Sequence, residues 1–207
     1  MKKNTVLYCT VVLATISLVC AAALGLGNKF LYTPPDTAGA LGVIFNALTG
    51  TKDYQTIFDA DTPDTFTVNG QSVTITKEAR AAANVEAAYR IENKDRDGGD
   101  IIYLLIVSVG NGRNGDVRAV TAYIADESGL PENDTIAGMR PFTWPAAEYT
   151  NANNQDFAGG FADRTAGDRI RITDTTGYTG ATETARGFIE AVNNASAFYK
   201  AYRDGIL

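Results

Sequence analysis

The chain contains no histidine, and its two cysteines, Cys9 and Cys20, both lie in an apolar stretch near the N-terminus. Without histidine, the commonest general base, the Ser-His-Asp triad and most catalytic zinc sites are excluded. Without cysteine, the remainder of the chain has no disulfide, no thiolate nucleophile and no cysteine-ligated metal centre. We therefore expect no catalytic side chain and no metal site there, and hydrolytic chemistry is not favoured.

Basic residues are also in the minority, because 18 Lys and Arg oppose 24 Asp and Glu for a net charge of -6. A nucleic-acid partner is not expected, since no basic face is available to neutralise phosphates. The fractions of hydrophobic (45%) and charged (20%) residues are near the average for soluble globular domains. The length that remains after the apolar stretch suits one domain.

The apolar stretch covers residues 5–26 and carries no charged side chain. As a helix it would span roughly 33 Å, the thickness of the hydrocarbon core of a bilayer. Lys2 and Lys3 precede it, whereas only Lys29 follows it closely, which favours a cytoplasmic N-terminus and an extracytoplasmic globular part. We expect a retained single-pass membrane anchor.

Two other fates of this stretch stay open. Ala21 and Ala23 form the small-x-small pattern of a signal-peptidase site, so cleavage after Ala23 would release a soluble protein. Lipidation of Cys20 is the second alternative, and Val19 disfavours it because the residue before such a cysteine is normally small.

The residue patterns predict an α+β fold: an N-terminal transmembrane helix followed by a domain with a mainly antiparallel sheet and a C-terminal amphipathic helix. We divide the chain into an anchor at 1–27, a stalk with a short helix at 28–64 and a globular domain at 65–207. Helices are expected at 37–48, 77–89 and 184–202, although residues 88–91 also suit the start of a strand. Strands are expected at 65–68, 71–76, 101–109 and 117–124, with an irregular covering segment at 126–174.

One glycine pattern resembles a dinucleotide-binding turn. Residues 110–115 spell GNGRNG, a GxGxxG pattern, directly after the predicted strand at 101–109. A dinucleotide-binding turn must open a helix, but Asp116 and a β-prone run follow here. We therefore interpret the pattern as the turn of a β-hairpin.

The segment 174–184, D-T-T-G-Y-T-G-A-T-E-T, leads directly into the predicted C-terminal helix. Gly180 and Ala181 are small, so an external enzyme can approach the hydroxyl of Thr182 and the backbone can lie close to a planar group. The free N–H groups and the positive dipole end of a helix start favour a phosphate on or beside Thr182. A threonine N-cap after a glycine turn is the alternative that these properties leave open, and it is the commoner one.

Asp174 through Thr182 resembles the flavinylation motif of the FMN-binding domain family, D-x-x-x-x-(S/T)-G-A-T. In that family a flavin transferase moves FMN from FAD onto the hydroxyl of the final threonine as a phosphoester. The resemblance therefore implies covalent FMN on Thr182. It further implies contacts of the cofactor with neighbouring residues, namely Asp174, Tyr178, Thr179, Gly180, Ala181 and Thr184.

Many members of the family also have a loop similar to E-T-P-G-L-G near the flavin. Residues 127–130 of this chain, E-S-G-L, resemble part of it. The resemblance thus adds Glu127, Ser128 and Gly129 to the predicted cofactor-binding residues.

The family includes covalently flavinylated subunits of the sodium-translocating NADH:quinone reductase and of the ion-translocating ferredoxin:NAD oxidoreductase complex. The resemblance implies an electron-transfer flavoprotein subunit of such a complex, held in the bacterial inner membrane with its domain on the periplasmic side. The other proteins of the complex and a flavin transferase are the expected partners, and the choice between the two complexes stays open. The alternatives are a non-redox, membrane-anchored binding module and a signal-cleaved soluble flavin carrier.

Overall fold

In the computed structural model of the chain, the described residues are 37–94, 98–113, 115–126, 130–143, 155–176 and 182–207. The chain forms two compact units, Met1–Thr37 and Ala38–Leu207, and the fold below is that of the second. The predicted membrane segment at residues 5–26 lies outside the described residues. Within them, no helix is both long enough and apolar enough to span a bilayer.

The described elements confirm an α+β fold with an antiparallel sheet and a C-terminal helix. The helices are α1 (Thr37–Thr49), α2 (Lys77–Ala82), α3 (Gln155–Gly159) and α4 (Thr182–Ile206). The strands are β1 (Gln55–Phe58), β2 (Thr65–Val68), β3 (Gln71–Thr74), β4 (Val85–Lys94), β5 (Asp100–Gly112), β6 (Gly115–Ile124), β7 (Thr135–Thr143) and β8 (Arg164–Thr165). Short 3₁₀ turns occupy Pro131–Asn133 and Ile172–Asp174.

The main sheet has six strands in the order β1-β4-β5-β6-β7-β8, and every neighbouring pair is antiparallel. The predicted pairing of β5 with β6 is confirmed, with Leu105 opposite Ala122. β2 and β3 form a separate hairpin, as predicted, around Asn69 and Gly70. Both turn residues have positive φ (50° and 80°), which the favoured two-residue hairpin turn requires.

The sheet lies between α1 and α4, because successive side chains of a strand point to opposite faces. Leu104 and Ile106 of β5 pack in the core under α4, whereas Leu105 and Val107 pack in the core under α1. The buried stripe of α4 matches the predicted amphipathic pattern and comprises Ala185, Phe188, Val192, Ala195 and Tyr199. Leu41 and Phe45 of α1 cover the other face. Each buried Leu, Ile, Val or Phe side chain of these layers stabilises the fold by about 1.5–3 kcal/mol.

The helix predicted at residues 77–89 is wrong in extent, since α2 ends at Ala82 and β4 begins at Val85. Asn84 takes a positive φ of 52° between them. The Ala-rich run 85–89 enters the strand because it pairs with β5 and buries Ala88 and Tyr89. Pairing and burial within the sheet thus outweigh the intrinsic helix preference of alanine.

The irregular covering segment predicted at 126–174 is also wrong in part, because it contains the nine-residue strand β7. Gly138 and Pro141 disguise this strand in the sequence. A Cβ on Gly138 would lie 3.2 Å from Cδ2 of Leu48, so α1 packs closely there. Pro141 pairs with β6 beside a register irregularity, and such bulges are among the few positions at which a sheet tolerates the missing N–H of proline. Phe157 and Phe161, expected in a surface cover, are fully buried.

Of the region expected as a stalk, residues 38–64 belong to the compact unit that begins at Ala38. The helix predicted at 37–48 is confirmed as α1. β1 pairs with β4 and adds an edge to the main sheet. Phe45 of α1 packs against the rings of Tyr54 and Tyr89, at 5.0 Å between centroids in both cases. Residues 38–58 therefore contribute a layer and a strand to the fold.

Candidate functional site

Thr182 is the first residue of α4, a helix of 25 residues, and its side chain is exposed. Thr184, two residues on, is fully buried. Of these two motif hydroxyls, only that of Thr182 is accessible to another enzyme. The backbone N–H groups of a first helical turn lack partners within the helix, and the dipole is positive there, so an anion at this position is stabilised.

The GNGRNG turn fixes the position of this helix start. It connects β5 to β6 in a hairpin, as predicted, and does not open a helix. A Cβ on Gly110 would lie 1.9 Å from the backbone oxygen of Gly187, so helix and strand backbones touch at these two glycines. Asn194 Nδ2 donates to the backbone oxygen of Val109 at 2.8 Å, and Ser108 Oγ donates to that of Ala191 at 2.7 Å. α4 is thus docked tightly on β5 at Gly187, and Thr182 lies about 7.5 Å from Gly187 along the helix axis.

We expect Gly187→Ala to destabilise the protein by roughly 1–3 kcal/mol, because its Cβ would lie 2.8 Å from the backbone oxygen of Asn111. The direction of the stability change is diagnostic, because an unhindered Gly→Ala change in a helix stabilises a protein by up to about 1 kcal/mol. Gly205→Ala in the same helix is the matched control: its Cβ would lie 3.5 Å from Val73 Cγ1, an ordinary contact. Urea denaturation measures both changes. Equal stability of the two variants would contradict the close backbone contact.

Asp174 has a local role in the structure. Its carboxylate accepts a hydrogen bond from the backbone N–H of Arg171 at 2.8 Å and closes the 3₁₀ turn Ile172–Asp174. Its backbone oxygen accepts a hydrogen bond from the guanidinium of Arg164. The remaining predicted cofactor-binding residues lie outside the described residues: Tyr178, Thr179, Gly180, Ala181, Glu127, Ser128 and Gly129.

A groove of about 850 Å³ lies between α4 and the segment 169–172. Arg169, Ile170, Arg171 and Ile172 line one wall, and Arg186 and Ile189 of α4 line the other. The walls are joined by Asn193, whose side-chain amide accepts from the backbone N–H of Ile170 at 2.8 Å and donates to its oxygen at 2.9 Å. The volume is within the range of small-molecule sites, about 300–1,000 Å³.

The groove follows the helix face on which Thr182 lies. Arg186 and Ile189 are four and seven positions beyond Thr182, the spacing of residues on one helix face. The groove combines isoleucine side chains with guanidinium groups, and the carboxylate of Glu190, which also lines it, accepts a backbone N–H from β5 at 2.9 Å. Such a lining suits a planar, partly apolar anion. Arg186 also forms an exposed ion pair with Glu183 at 2.6 Å. This donor set fits the phosphate and the ring of FMN.

A second polar cluster surrounds Asp134, which is fully buried. Its carboxylate accepts hydrogen bonds from the guanidinium of Arg203, from Tyr199 Oη at 2.8 Å and from the backbone N–H of Asp126 at 2.7 Å. Burial by itself raises the pKa of this carboxyl, but the three hydrogen bonds and the charge of Arg203 together hold the pKa below its ordinary value. Burial and the same carboxylate raise the pKa of the Tyr199 phenol.

This cluster lies at the far end of α4 from Thr182. Arg203 is 21 positions beyond Thr182, which corresponds to about 30 Å along the helix. Asp134 accepts hydrogen bonds from both Arg203 and the backbone N–H of Asp126, so Asp126 is held at this far end of α4. Asp126 directly precedes the predicted cofactor-binding residues 127–129. The groove residues, in contrast, extend from the first turns of α4.

No protein-family model matches the chain, and no curated protein matches it either. The resemblance to the FMN-binding domain family therefore depends on the motif at residues 174–182 and stays a prediction.

The sequence reasoning missed the groove and the buried Asp134–Arg203 pair. The sequence gives no clear signal for the groove, because its arginines alternate with the acidic residues Asp168, Asp174, Glu183 and Glu190 along the same stretch. No signal marks the buried pair either, because Asp134 and Arg203 are 69 residues apart and each stands among other charged residues.

Proposed function

We propose that this chain is an electron-transfer flavoprotein with FMN bonded to Oγ1 of Thr182 as a phosphoester. The observation that carries the proposal is the exposure of Thr182 at the start of a docked helix, directly after the T-G-A sequence, while Thr184 is buried. A transferase needs a hydroxyl that it can reach, and of Thr182 and Thr184 the acceptor position of the motif is the exposed one.

The residues around Thr182 suit the charge of the phosphoester. The helix start stabilises an anion by about 0.3–1 kcal/mol at an exposed site. Arg186, one turn further on the same face, provides a guanidinium for the phosphate oxygens. Its present partner, Glu183, is 57% exposed, so an exchange of Glu183 for phosphate costs little. Bound FMN would supply one- and two-electron transfer.

The cellular role of the proposal is that of a redox subunit in a membrane ion-translocating oxidoreductase complex. The uncharged segment at residues 5–26 would anchor the domain in the bacterial inner membrane, beside the other proteins of the complex. This segment has no carboxylate, so the chain itself is not expected to conduct the ion. Covalent attachment keeps the cofactor on an extracytoplasmic protein, and the isolated chain is not expected to turn over alone.

The test is coexpression of the full chain with a flavin transferase, followed by fractionation and denaturing gel electrophoresis. We expect a band of flavin fluorescence at the mass of this chain in the membrane fraction, and no band without the transferase. A fluorescent band in the soluble fraction would support the signal-cleaved carrier instead. Absence of fluorescence with an active transferase would contradict the flavoprotein and favour a non-redox binding module.

A further inference from the structure

We propose that the groove between residues 169–172 and α4 receives the isoalloxazine ring of the FMN carried on Thr182. This inference rests on the proposed function and adds the place where the ring lies. It assigns the groove residues, which no motif identifies, to holding the cofactor.

Thr182 and the groove lie within reach of each other along one face of α4. Ile189, in the wall of the groove, is seven positions from Thr182, or about 10 Å along the helix axis. An extended ribityl phosphate chain covers such a distance. Arg186 lies between the two positions on the same face. The phosphoester, the chain and the ring would therefore follow the helix surface from Thr182 into the groove.

The walls of the groove match the chemistry of the ring. Ile170 and Ile189 are 3% and 6% exposed, so packing fixes the two walls in place. Ile172, which is half-buried in the same wall as Ile170, offers apolar surface to an aromatic ring. Arg169 and Arg171, in the wall that faces α4, are exposed. Guanidinium groups donate hydrogen bonds in a planar fork and stack on π systems, which suits the carbonyl edge and the face of the ring.

The groove is preformed. Asn193 clamps Ile170 to α4 through two hydrogen bonds, and Glu190 accepts the backbone N–H of Asn111 at 2.9 Å. The walls are thus held to each other and to β5 by polar groups that are already satisfied. A preformed site loses little conformational entropy when it binds its ligand.

Time-resolved fluorescence anisotropy of the flavinylated protein tests this inference. A ring held in the groove rotates with the whole protein, whereas a ring free on its tether shows a fast component, as the flavinylated peptide 172–186 would. We expect the slow component to dominate in the flavinylated protein without substitutions. In the double variant Arg169→Glu/Arg171→Glu we expect the fast component to take over, together with loss of the visible circular dichroism of the flavin.

The matched control is Lys52→Glu/Lys200→Glu, which makes the same change of net charge at two exposed positions outside the groove. It is expected to leave the anisotropy decay unchanged. A ring that already rotates freely in the flavinylated protein without substitutions would overturn the groove assignment. It would leave the proposal of covalent FMN on Thr182 intact. A ring that stays immobile in the double variant would also overturn the groove assignment. Absence of any adduct would contradict the proposed function itself.

Discussion

Thr182→Ala is expected to remove the covalent flavin completely, whereas Thr184→Val and Thr182→Ser are expected to keep it. Thr182→Ser retains an exposed hydroxyl at the first position of α4, and Thr184→Val changes a side chain that no transferase can reach. The readout is flavin fluorescence per mole of purified protein after denaturation. Loss of the adduct in Thr184→Val but not in Thr182→Ala would identify Thr184 as the acceptor and contradict the assignment to Thr182.

The folding control for this experiment is straightforward. Thr182 is exposed, so its replacement by alanine should change the free energy of unfolding by no more than about 0.5–1 kcal/mol. A protein that keeps its stability and loses its flavin has lost the acceptor, not the fold. Thermal unfolding of Thr182→Ala beside the unmodified apoprotein supplies this comparison.

Arg203→Met should lower the free energy of unfolding by about 3–5 kcal/mol, because it leaves the Asp134 carboxylate buried without its cation. That loss is a large part of the total stability of an ordinary domain, about 5–15 kcal/mol. Lys94→Met is the matched control, since Lys94 and Asp100 form an ion pair at 2.8 Å with both side chains exposed. Exposed pairs contribute about 0–1 kcal/mol. Guanidinium denaturation of both variants checks the difference, and equal losses would contradict the buried network.

The same network predicts a pH dependence. The pKa of Asp134 in the folded protein lies below the ordinary value of 3.8. Its stabilising contribution is therefore fully present above that value and is lost as the pH falls through the lower pKa of the folded state. The stability difference between the unmodified protein and Asp134→Asn should be larger at pH 7 than at pH 3. A difference that does not change with pH would argue against a charged Asp134 in the folded state.

Much of the fold follows from local patterns. The stripe of α4, the Asn69–Gly70 turn and the apolar runs of β5 and β6 each give one consistent signal, and the structure agrees with them. β4 was predicted only as an alternative, from residue 88 onward, and β7 was not predicted. The alanines of β4 favour a helix, and Gly138 and Pro141 weaken β7 as a strand, so only pairing with neighbouring strands determines both.

The candidate site likewise has a part that local sequence predicts and a part that depends on tertiary packing. Thr182 is identified by a local motif, and its exposure depends only on the position at which α4 begins. The groove brings the segment 169–172 against α4, so its existence depends on tertiary packing. The GNGRNG pattern shows that a glycine motif must be interpreted with its neighbours, since it forms the predicted hairpin turn. Gly110 is required by contact with Gly187, a residue 77 positions away, and not by a bound phosphate.

Mass spectrometry of one tryptic peptide tests the central claim most directly. Cleavage after Arg171 and Arg186 releases residues 172–186, which contain Thr182 and five other threonines: Thr173, Thr175, Thr176, Thr179 and Thr184. After coexpression with a flavin transferase, we predict a peptide heavier by one FMN group, with fragment ions that localise the increment to Thr182. An unmodified peptide, or an increment at any of the other threonines, would contradict covalent flavinylation of Thr182.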